Sequence, residues 1–405
     1  MAQVEPTVRP ARTALLLGIS PPGGATGSGA RVGLVLEALK ERFSRVDVVS
    51  MAAPGDELRA DEAVHLVQRR SIRSRWAFTK GLLQGGSPFV AVRVTGLTGR
   101  VRELTDVGEL LPAYDLVWSH FLSTAPTGLT VPAARRVLDA DFAVGAAAKR
   151  TARLGVRRRQ RIYMNLDAAA ITRREQRLCG MFEHVVVVSE LERRRLGHVS
   201  APVTVVPNAV AGPSTQPAPA ALRTGLLFVG SLDYDVNEAA VELLIREVLP
   251  HVRSQLPSAE LTIVGRNPSD ELVRLAQAAG VKLVANAPSL DSFYSKARAV
   301  VAPLRGGGGT RIKLLEAMAS SLAIVGTPAA IDGLELRPGS SALVADDPAE
   351  LAEYCVTVLK DTALADRLGR NGHAVWSRDH QPTAARAAFS RVLESVMGGS
   401  RGVVA

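Results

Sequence analysis

Residues 300–318 of this chain read VVAPLRGGGGTRIKLLEAM. A short apolar run ends at Pro303, and four glycines, 306–309, lead directly into a segment with the apolar spacing of a helix. Glycines let the backbone approach a ligand closely, and the free N–H groups at the start of a helix bind anions. A strand, a glycine-rich turn and a helix in this order predict a βα unit with an anion site at its turn.

Three charged side chains of this segment stand at unusual positions. Arg311 and Lys313 are cations at a helix N-terminus, where the helix dipole disfavours them, and a bound diphosphate would reverse that penalty. Glu316 lies among apolar residues, and a buried carboxylate needs hydrogen-bond donors, which two ribose hydroxyls would supply. The alternative is an internal pairing of Glu316 with Lys313 at i,i+3. Both interpretations stay open at this point.

Short apolar runs alternate with amphipathic stretches along most of the chain, and this pattern predicts repeated βαβ units with parallel sheets. In the first half we expect strands at residues 14–19, 46–50, 116–119, 136–138, 185–189 and 203–206. In the second half we expect strands at residues 225–229, 261–264, 281–284, 299–302, 323–325 and 342–344. Between the halves stands GPSTQPAPAALRTG, a composition typical of a linker.

The pattern therefore predicts an α/β protein with two Rossmann-like domains that face a central cleft. The N-terminal domain would span residues 1–212, the linker 213–224 and the C-terminal domain 225–378. We expect residues 379–405 to form a C-terminal helix and tail that pack back on the N-terminal domain. In open α/β sheets the carboxyl ends of the strands face the ligand, so both domains would direct loops into the cleft.

Composition excludes several classes of protein. The chain has 405 residues, of which 47% are hydrophobic and 22% are charged, so a disordered chain is excluded and two domains are expected. No apolar run approaches the roughly 18 residues of a membrane-spanning helix. The two cysteines, Cys179 and Cys355, are far apart, which excludes a disulfide scaffold and predicts a reduced, cytoplasmic protein.

The net charge of +10 is confined to the first half of the chain. Residues 1–215 carry 30 basic and 19 acidic side chains, whereas the rest carries 19 basic and 20 acidic ones. Seven basic residues fall within 149–161, where an Arg-rich solvated face is the plain interpretation. Peripheral contact with an anionic membrane is the second interpretation. Nucleic acid is excluded as a partner, because no aromatic side chains interleave the basic run.

Two further features of the first half follow predicted strands. The loop at 21–29 reads PPGGATGSG, which lets the backbone approach a ligand but does not match the GxGxxG fingerprint. We predict that three of its glycines line the cleft: Gly23, Gly24 and Gly27. His120 and Asp141 come where strands end, and both are candidate catalytic residues. A structural histidine, an Asx-turn and a loop without ligand are the alternatives.

Two longer stretches resemble a known family. Residues 303–336, PLRGGGGTRIKLLEAMASSLAIVGTPAAIDGLEL, resemble the donor-site signature of retaining glycosyltransferases of family 4, which have the GT-B fold. Residues 225–252, GLLFVGSLDYDVNEAAVELLIREVLPHV, resemble the opening of that family's C-terminal domain. Looser similarities in the first half are VWSH, VLDADF, VVVVSELE and VTVVPNAV. Together they cover most of the chain in the expected order.

The resemblance implies a donor site in the C-terminal domain. By it, Glu316 binds the donor ribose, Arg311 faces the diphosphate, and Lys313 shares in neutralising the phosphates. The backbone groups that would approach the phosphates and the sugar belong to Gly230, Ser231, Gly308, Gly309 and Thr310. Two departures stand out: many relatives carry a Glu where this chain has Gly308, and a Lys shortly after the Gly-Ser turn, where this chain has Asp233, Asp235 and Asn237.

The resemblance also implies an activity, a metal-independent transfer of a hexosyl group with retention. The donor would be a nucleotide sugar, which serves as co-substrate with no other cofactor. The acceptor would be a glycan, a glycolipid or a small molecule bound by the N-terminal domain. The alternatives are a GT-B sugar-nucleotide epimerase and a non-catalytic partner subunit. The triplet Asp139-Ala140-Asp141 has a metal-binding pattern, but it lies in the acceptor half, where the resemblance offers no metal role.

Overall fold

The computed structural model describes residues 12–23, 27–52, 64–68, 88–153, 158–213, 217–306 and 311–398. The chain divides into two compact units, each built on its own parallel sheet. Unit 1 comprises residues 1–146, 162–206 and 386–405, and unit 2 comprises 147–161 and 207–385. The prediction of an α/β protein with two Rossmann-like sheets is confirmed.

The sheet of unit 1 contains seven described strands. Their order across the sheet is β3-β2-β1-β4-β5-β6-β7, and every neighbouring pair is parallel. The strands are β1 Thr13–Gly18, β2 Arg45–Ala52, β3 Val64–Gln68, β4 Tyr114–His120, β5 Ala133–Asp141, β6 His184–Val187 and β7 Val203–Val205. The helices that begin in or belong to this unit are α1 Gly27–Lys40, α2 Pro88–Asp106, α3 Ala125–Thr130, α4 Val144–Arg153, α5 Arg158–Cys179 and α6 Glu190–Leu196.

The core of unit 1 forms because β1 and β4 are buried on both faces. Strand β1 is apolar over Ala14–Leu17, and these four side chains are fully buried, as is typical of a central parallel strand. Trp118 on β4 is also fully buried, and its ring stacks edge-on against Phe389 at 5.7 Å between centroids. Phe389 belongs to the last helix, Pro382–Gly398, whose residues from Arg386 onward belong to unit 1.

The sheet of unit 2 contains six described strands in the order β10-β9-β8-β11-β12-β13, again all parallel. The strands are β8 Leu226–Ser231, β9 Leu261–Arg266, β10 Lys282–Ala285, β11 Ala299–Ala302, β12 Ala323–Gly326 and β13 Leu343–Val344. The remaining helices are α7 Asp235–Leu243, α8 Leu249–Gln255, α9 Asp270–Ala278, α10 Asp291–Lys296, α11 Ile312–Ala319, α12 Pro328–Ile331, α13 Pro348–Lys360, α14 Thr362–Asp379 and α15 Pro382–Gly398.

The strand order of unit 2 changes direction between β8 and β11. The chain moves outward from β8 to β9 and β10, and then returns to place β11 on the other side of β8. In doubly wound sheets the carboxyl ends of the two strands at such a point form a crevice for ligands. The predicted donor residues follow or end these two strands.

The element boundaries differ from the predictions at a few places with physical causes. Two elements are not predicted by the sequence pattern: β3, which is a half-buried edge strand, and α2. Helix α2 is rich in β-branched residues and contains two glycines, so local preferences oppose a helix there. The apolar spacing of residues 237–255 predicts one continuous helix, but a π-turn, Leu244–Val248, interrupts it two residues before Pro250. A proline ring collides with the carbonyl four residues earlier in a regular helix, and the wider turn avoids that collision.

The segment predicted as a linker is partly attached to unit 2. Ala220 and Arg223 are buried, and the Arg298 guanidinium donates to the carbonyl oxygens of both at 2.6–3.1 Å. Apart from this attachment, the described residues 211–213 and 217–219 form no helix or strand. None of the described helices is long and apolar enough to span a membrane.

Candidate functional site

The turn after β8 lies at the carboxyl edge of the unit 2 sheet. Gly230 and Ser231 are the last residues of β8, and Gly230 is paired in register with Gly265 of β9. A Cβ atom on Gly265 would come within 2.2 Å of the Gly230 carbonyl oxygen, so the two backbones pass too closely for a side chain. The Ser231 hydroxyl accepts a hydrogen bond from Arg266 at 3.0 Å. The two glycines therefore let the backbones of β8 and β9 and the Leu232 side chain pack closely at this edge.

The glycine-rich loop of the quoted segment begins where β11 ends. Arg311 is the last residue before helix α11, and its guanidinium donates to the Gly306 carbonyl at 2.7 Å. This hydrogen bond joins the two described ends of the loop. Gly308, Gly309 and Thr310, which were predicted to contact phosphates and sugar, lie outside the described residues. Their proposed contacts stay predictions.

Glu316 lies half-buried on α11 and has an internal partner. The Tyr294 hydroxyl donates to Glu316 Oε2 at 2.7 Å, and Tyr294 itself is buried. Burial raises the pKa of Glu316, although the hydrogen bond from Tyr294 opposes the shift. The carboxylate therefore has one oxygen held by a buried phenol, and the internal partner is Tyr294 rather than the Lys313 considered in the sequence analysis.

Lys313 turns toward the first strand of the sheet. Its Nζ donates to Asn237 Oδ1 at 2.6 Å and lies 4.5 Å from the centroid of the Phe228 ring. Burial of the ammonium, together with the nearby charge of Arg311, lowers the pKa of Lys313 to about 7, although Glu316 opposes the shift. In the described structure the Lys313 head group thus contacts protein groups beneath the turn after β8.

In unit 1 the glycine-rich loop after β1 packs onto the helix that follows it. Gly23 has a φ of +70°, which favours glycine, and its N–H donates to the Gly29 carbonyl at 2.9 Å. A Cβ on Gly33 would come within 3.1 Å of the Gly23 nitrogen, so loop and helix approach closely. Gly27 begins helix α1, whereas Gly24 lies outside the described residues.

His120 is fully buried within a polar network. Its Nε2 lies 2.8 Å from the Ser28 hydroxyl, and its Nδ1 lies 3.2 Å from Asp139 Oδ2. Arg31 donates to Asp139 through both Nε and Nη2 at 2.8 Å, and its Nη1 donates to the Val206 carbonyl. Burial alone would raise the pKa of Asp139, but the Arg31 and His120 charges lower it to about 2. This environment matches the structural alternative for His120.

Asp141 occupies the carboxyl end of β5 with an unusual backbone. Its φ is +64°, a left-handed conformation that Asp adopts more readily than most residues. The strand register shifts between Asp139 and Asp141, and the Val188 N–H donates to the Asp141 carbonyl at 2.9 Å. Asp141 is half-exposed, in contrast to the fully buried Asp139. Of the two candidate catalytic side chains, Asp141 is therefore the one that solvent reaches.

Two buried glutamates hold the chain that follows Asp141. Glu175 accepts hydrogen bonds from the Val144 and Gly145 N–H groups at 2.7 and 3.1 Å, and Glu192 accepts one from Ala143 at 2.9 Å. Burial raises the pKa of Glu175 to about 7, with a smaller contribution from the Glu192 charge. These carboxylates occupy the free N–H groups at the start of α4, so this helix end is capped internally.

Four residues that contact the candidate residues or their partners were not predicted as such: Ser28, Arg31, Tyr294 and, as a contact of Lys313, Asn237. A sequence signal existed for Arg31, because it is a cation shortly after a glycine-rich loop, as Arg311 is. No local pattern distinguishes Tyr294 or Ser28. Among the described residues, no three His, Cys, Asp or Glu side chains are grouped so as to hold a metal ion.

Comparison with known proteins identifies the fold and a match within unit 2. Residues 223–361, about a third of the chain, match the family model described as Glycosyl transferases group 1. This region contains both strands at the change of direction and the helix that carries Glu316. No curated protein matches the sequence.

Solved structures of low sequence identity share the architecture along nearly the whole chain. A sucrose-phosphate synthase from Thermosynechococcus elongatus matches with a TM-score of 0.69 and 18% identity, over 96% of this chain and 100% of the other. HepE from Anabaena, in complex with UDP and glucose, matches with a TM-score of 0.63 and 15% identity, over 95% of this chain and 100% of the other. A trehalose-phosphate synthase from Burkholderia xenovorans, in complex with glucose-6-phosphate, matches with a TM-score of 0.62 and 13% identity, over 94% of this chain and 100% of the other. The fold is therefore GT-B.

Proposed function

We propose that this chain is a glycosyltransferase that moves a sugar from a nucleoside-diphosphate sugar to an acceptor hydroxyl. The match of residues 223–361 to the glycosyltransferase family model is the observation that carries the proposal. The geometry of unit 2 supports it, because the turn after β8, the loop after β11 and Glu316 all belong to the matched region and to the place where doubly wound sheets bind ligands.

In this proposal the nucleotide binds across the carboxyl edge of the unit 2 sheet. Glu316 accepts hydrogen bonds from the ribose hydroxyls, and Tyr294 holds the carboxylate in place for them. The backbone of Gly230 and Ser231 faces the diphosphate, because these two residues end β8 at the carboxyl edge of the sheet. Arg311 and the N-terminus of α11 supply positive charge next to the loop.

The chemistry that we propose is a transfer with retention that needs no metal ion. The leaving diphosphate gains negative charge as the glycosidic bond breaks, and the guanidinium of Arg311 and the helix N-terminus stabilise that charge. Asp141, half-exposed at the end of β5, is our first candidate for a carboxylate that contacts the acceptor. His120 is the weaker candidate, because its ring is buried between Ser28 and Asp139.

Isothermal titration calorimetry with UDP, GDP and ADP tests the donor site. The Glu316→Gln variant keeps an acceptor for Tyr294 but loses the charge that receives two ribose hydroxyls. We expect it to bind the preferred nucleoside diphosphate about 10- to 100-fold more weakly, the range for hydrogen bonds to a charged group. Glu271→Gln, an exposed glutamate on α9, is the matched control and should bind like the wild type. Equal affinity of both variants, or no binding by the wild-type protein, contradicts the proposal.

Turnover distinguishes the proposed activity from the alternatives with the same fold. A glycosyltransferase releases nucleoside diphosphate from the donor in an acceptor-dependent manner, and NMR of the product shows whether the anomeric configuration is retained. A GT-B epimerase changes the sugar of the nucleotide without any acceptor. A partner subunit binds the nucleotide without turnover.

The contact of the basic segment with a membrane also stays a prediction. Residues 149–161 carry seven basic side chains. Each basic residue near an anionic bilayer contributes about 1 kcal/mol, and salt screens the attraction. Sedimentation with anionic liposomes, with Gln at four of these positions, tests it. Binding that ignores both salt and the substitutions would favour an acceptor that is free in solution.

A further inference from the structure

Lys313 and Asn237 form a polar contact directly beneath the turn that ends β8. Lys313 belongs to α11, the helix that carries Glu316, whereas Asn237 belongs to the first turn of α7, which follows β8. The Lys313 ammonium donates to Asn237 Oδ1 at 2.6 Å, and Asn237 is 8% exposed. The contact thus joins two helices that lie 76 residues apart in sequence.

The other end of the Asn237 amide holds the turn itself. Asn237 Nδ2 donates to the Ser231 carbonyl at 2.8 Å, so the two ends of the amide have different partners. A continuous chain of hydrogen bonds therefore runs from the backbone of Ser231 through Asn237 to Lys313. Because the amide donates at one end and accepts at the other, its orientation is determined by these two partners.

Two neighbours confine the Lys313 head group to this position. The Phe228 ring lies 4.5 Å from Nζ, close enough for its π face to attract the cation. A Cβ on Gly230 would come within 2.9 Å of Nζ and 3.0 Å of the Asn237 amide, so the glycine leaves the space that the contact occupies. The ammonium is thus packed between a ring, an amide and a glycine backbone.

We propose that Lys313 and Asn237 are positioning residues that hold the Gly230–Ser231 turn at a defined distance from the helix carrying Glu316. This inference rests on the proposed function, in which the diphosphate faces the turn and the ribose binds Glu316. A nucleoside diphosphate contacts both sides at once, so its affinity depends on their spacing. The role differs from that of a phosphate ligand, which the sequence analysis assigned to Lys313.

A double-mutant cycle separates the two roles. The variants are Lys313→Met, Asn237→Leu and their combination, and the measurement is the affinity of UDP, GDP and ADP by calorimetry. We expect each single variant to bind the preferred nucleoside diphosphate about 10-fold more weakly. We expect the double variant to lose no more than either single one, because both substitutions break the same chain of hydrogen bonds. Affinity for the matching nucleoside, which reaches Glu316 alone, should stay within about 2-fold of wild type.

Two controls match the substituted residues. Lys282→Met removes an exposed lysine of the same unit, and Asn371→Leu removes an amide that also donates to a backbone carbonyl, that of Ser340 at 2.8 Å. Both should bind like the wild type. Circular dichroism shows whether each variant folds. If Lys313→Met does not fold, Asn237→Ser is measured in its place. Loss of nucleoside diphosphate affinity in Asn237→Ser supports the inference, and wild-type affinity overturns it.

The outcomes that overturn this inference differ from those that overturn the proposed function. If Lys313→Met weakens binding while Asn237→Leu binds normally, Lys313 contacts phosphate directly and the positioning role is wrong. Losses that add up in the double variant also contradict the positioning role, because the two side chains then act independently. Absence of nucleoside diphosphate binding by the wild-type protein instead contradicts the proposed function. Normal affinity of the Lys313 and Asn237 variants, together with weakened binding by Glu316→Gln, overturns the positioning role and leaves the proposed function intact.

Discussion

Removal of the Asp139 carboxylate should strongly destabilise unit 1. Asp139 is fully buried, and Arg31, 2% exposed, donates to both of its oxygens at 2.8 Å. The Asp139→Ala variant leaves the guanidinium buried beside the Val206 carbonyl and the Phe389 ring. Breaking a buried ion pair from one side costs about 3–5 kcal/mol, because the uncompensated charge stays inside the protein.

The lowered pKa of Asp139 has a consequence for the pH dependence of stability. The pKa in the folded protein is about 2, compared with an ordinary value of 3.8. A carboxyl group with a lowered pKa contributes stability above pH 3.8, and this contribution is lost as the pH falls from 3.8 toward 2. The difference corresponds to about 2 kcal/mol at neutral pH. The larger value expected for Asp139→Ala contains the added cost of a buried guanidinium that has lost its carboxylate partner.

Urea unfolding followed by the fluorescence of Trp118 measures this change in unit 1. The protein has three tryptophans, so Trp76 and Trp376 are replaced by Phe in the background protein, and the remaining ring contacts Phe389 in the same core. Glu103→Ala, which removes an exposed ion pair with Arg100, is the matched control and should cost less than about 1 kcal/mol.

The double variant Arg31→Met with Asp139→Leu completes the test. Replacing both charges with apolar side chains removes the uncompensated charge, so this variant should unfold at a higher urea concentration than Asp139→Ala alone. The reasoning is refuted if Asp139→Ala costs less than about 1 kcal/mol, or if the losses of the single variants Arg31→Met and Asp139→Leu simply add in the double variant.

Two further predictions concern the other buried acid and the paired glycines. The pKa of Glu175 is about 7 in the folded protein, above its ordinary value of 4.5, so the folded state holds this proton more tightly. The contribution of Glu175 to the free energy of unfolding therefore falls by up to about 3 kcal/mol as the pH rises from 4.5 to 7. The difference in unfolding free energy between wild type and Glu175→Gln should follow that pH dependence, and a difference independent of pH would contradict the assignment. Gly265→Ala places a methyl group 2.2 Å from the Gly230 carbonyl oxygen and should lower the free energy of unfolding by about 1–3 kcal/mol. Gly372→Ala, whose methyl group would have no described neighbour nearer than 3.6 Å, is the control in thermal unfolding. Equal melting temperatures of the two variants would contradict the prediction, because β8 and β9 would then accommodate the methyl group without strain.

The alternation of elements was predictable from the sequence alone because it depends on neighbouring residues. A buried parallel strand is a short apolar run such as Ala14–Leu17, and an amphipathic helix repeats its apolar residues every three or four positions. Both signals are contained in a few consecutive residues, so twelve of the thirteen described strands and the glycine-rich turns were predicted. Edge strand β3 and helix α2 were missed, because β3 is only half-buried and the composition of α2 opposes a helix.

Only the tertiary structure decided which groups the charged residues contact. The sequence indicated that the charges of Lys313 and Glu316 are unfavourable at their positions. It suggested that the two residues pair with each other, because they are three residues apart. The fold instead pairs Lys313 with Asn237, 76 residues away, and Glu316 with Tyr294, 22 residues away. A burial cost is a property of one residue and its segment, whereas the group that offsets it depends on how distant strands and helices pack. The sequence therefore determined where partners were needed, and the fold determined what they are.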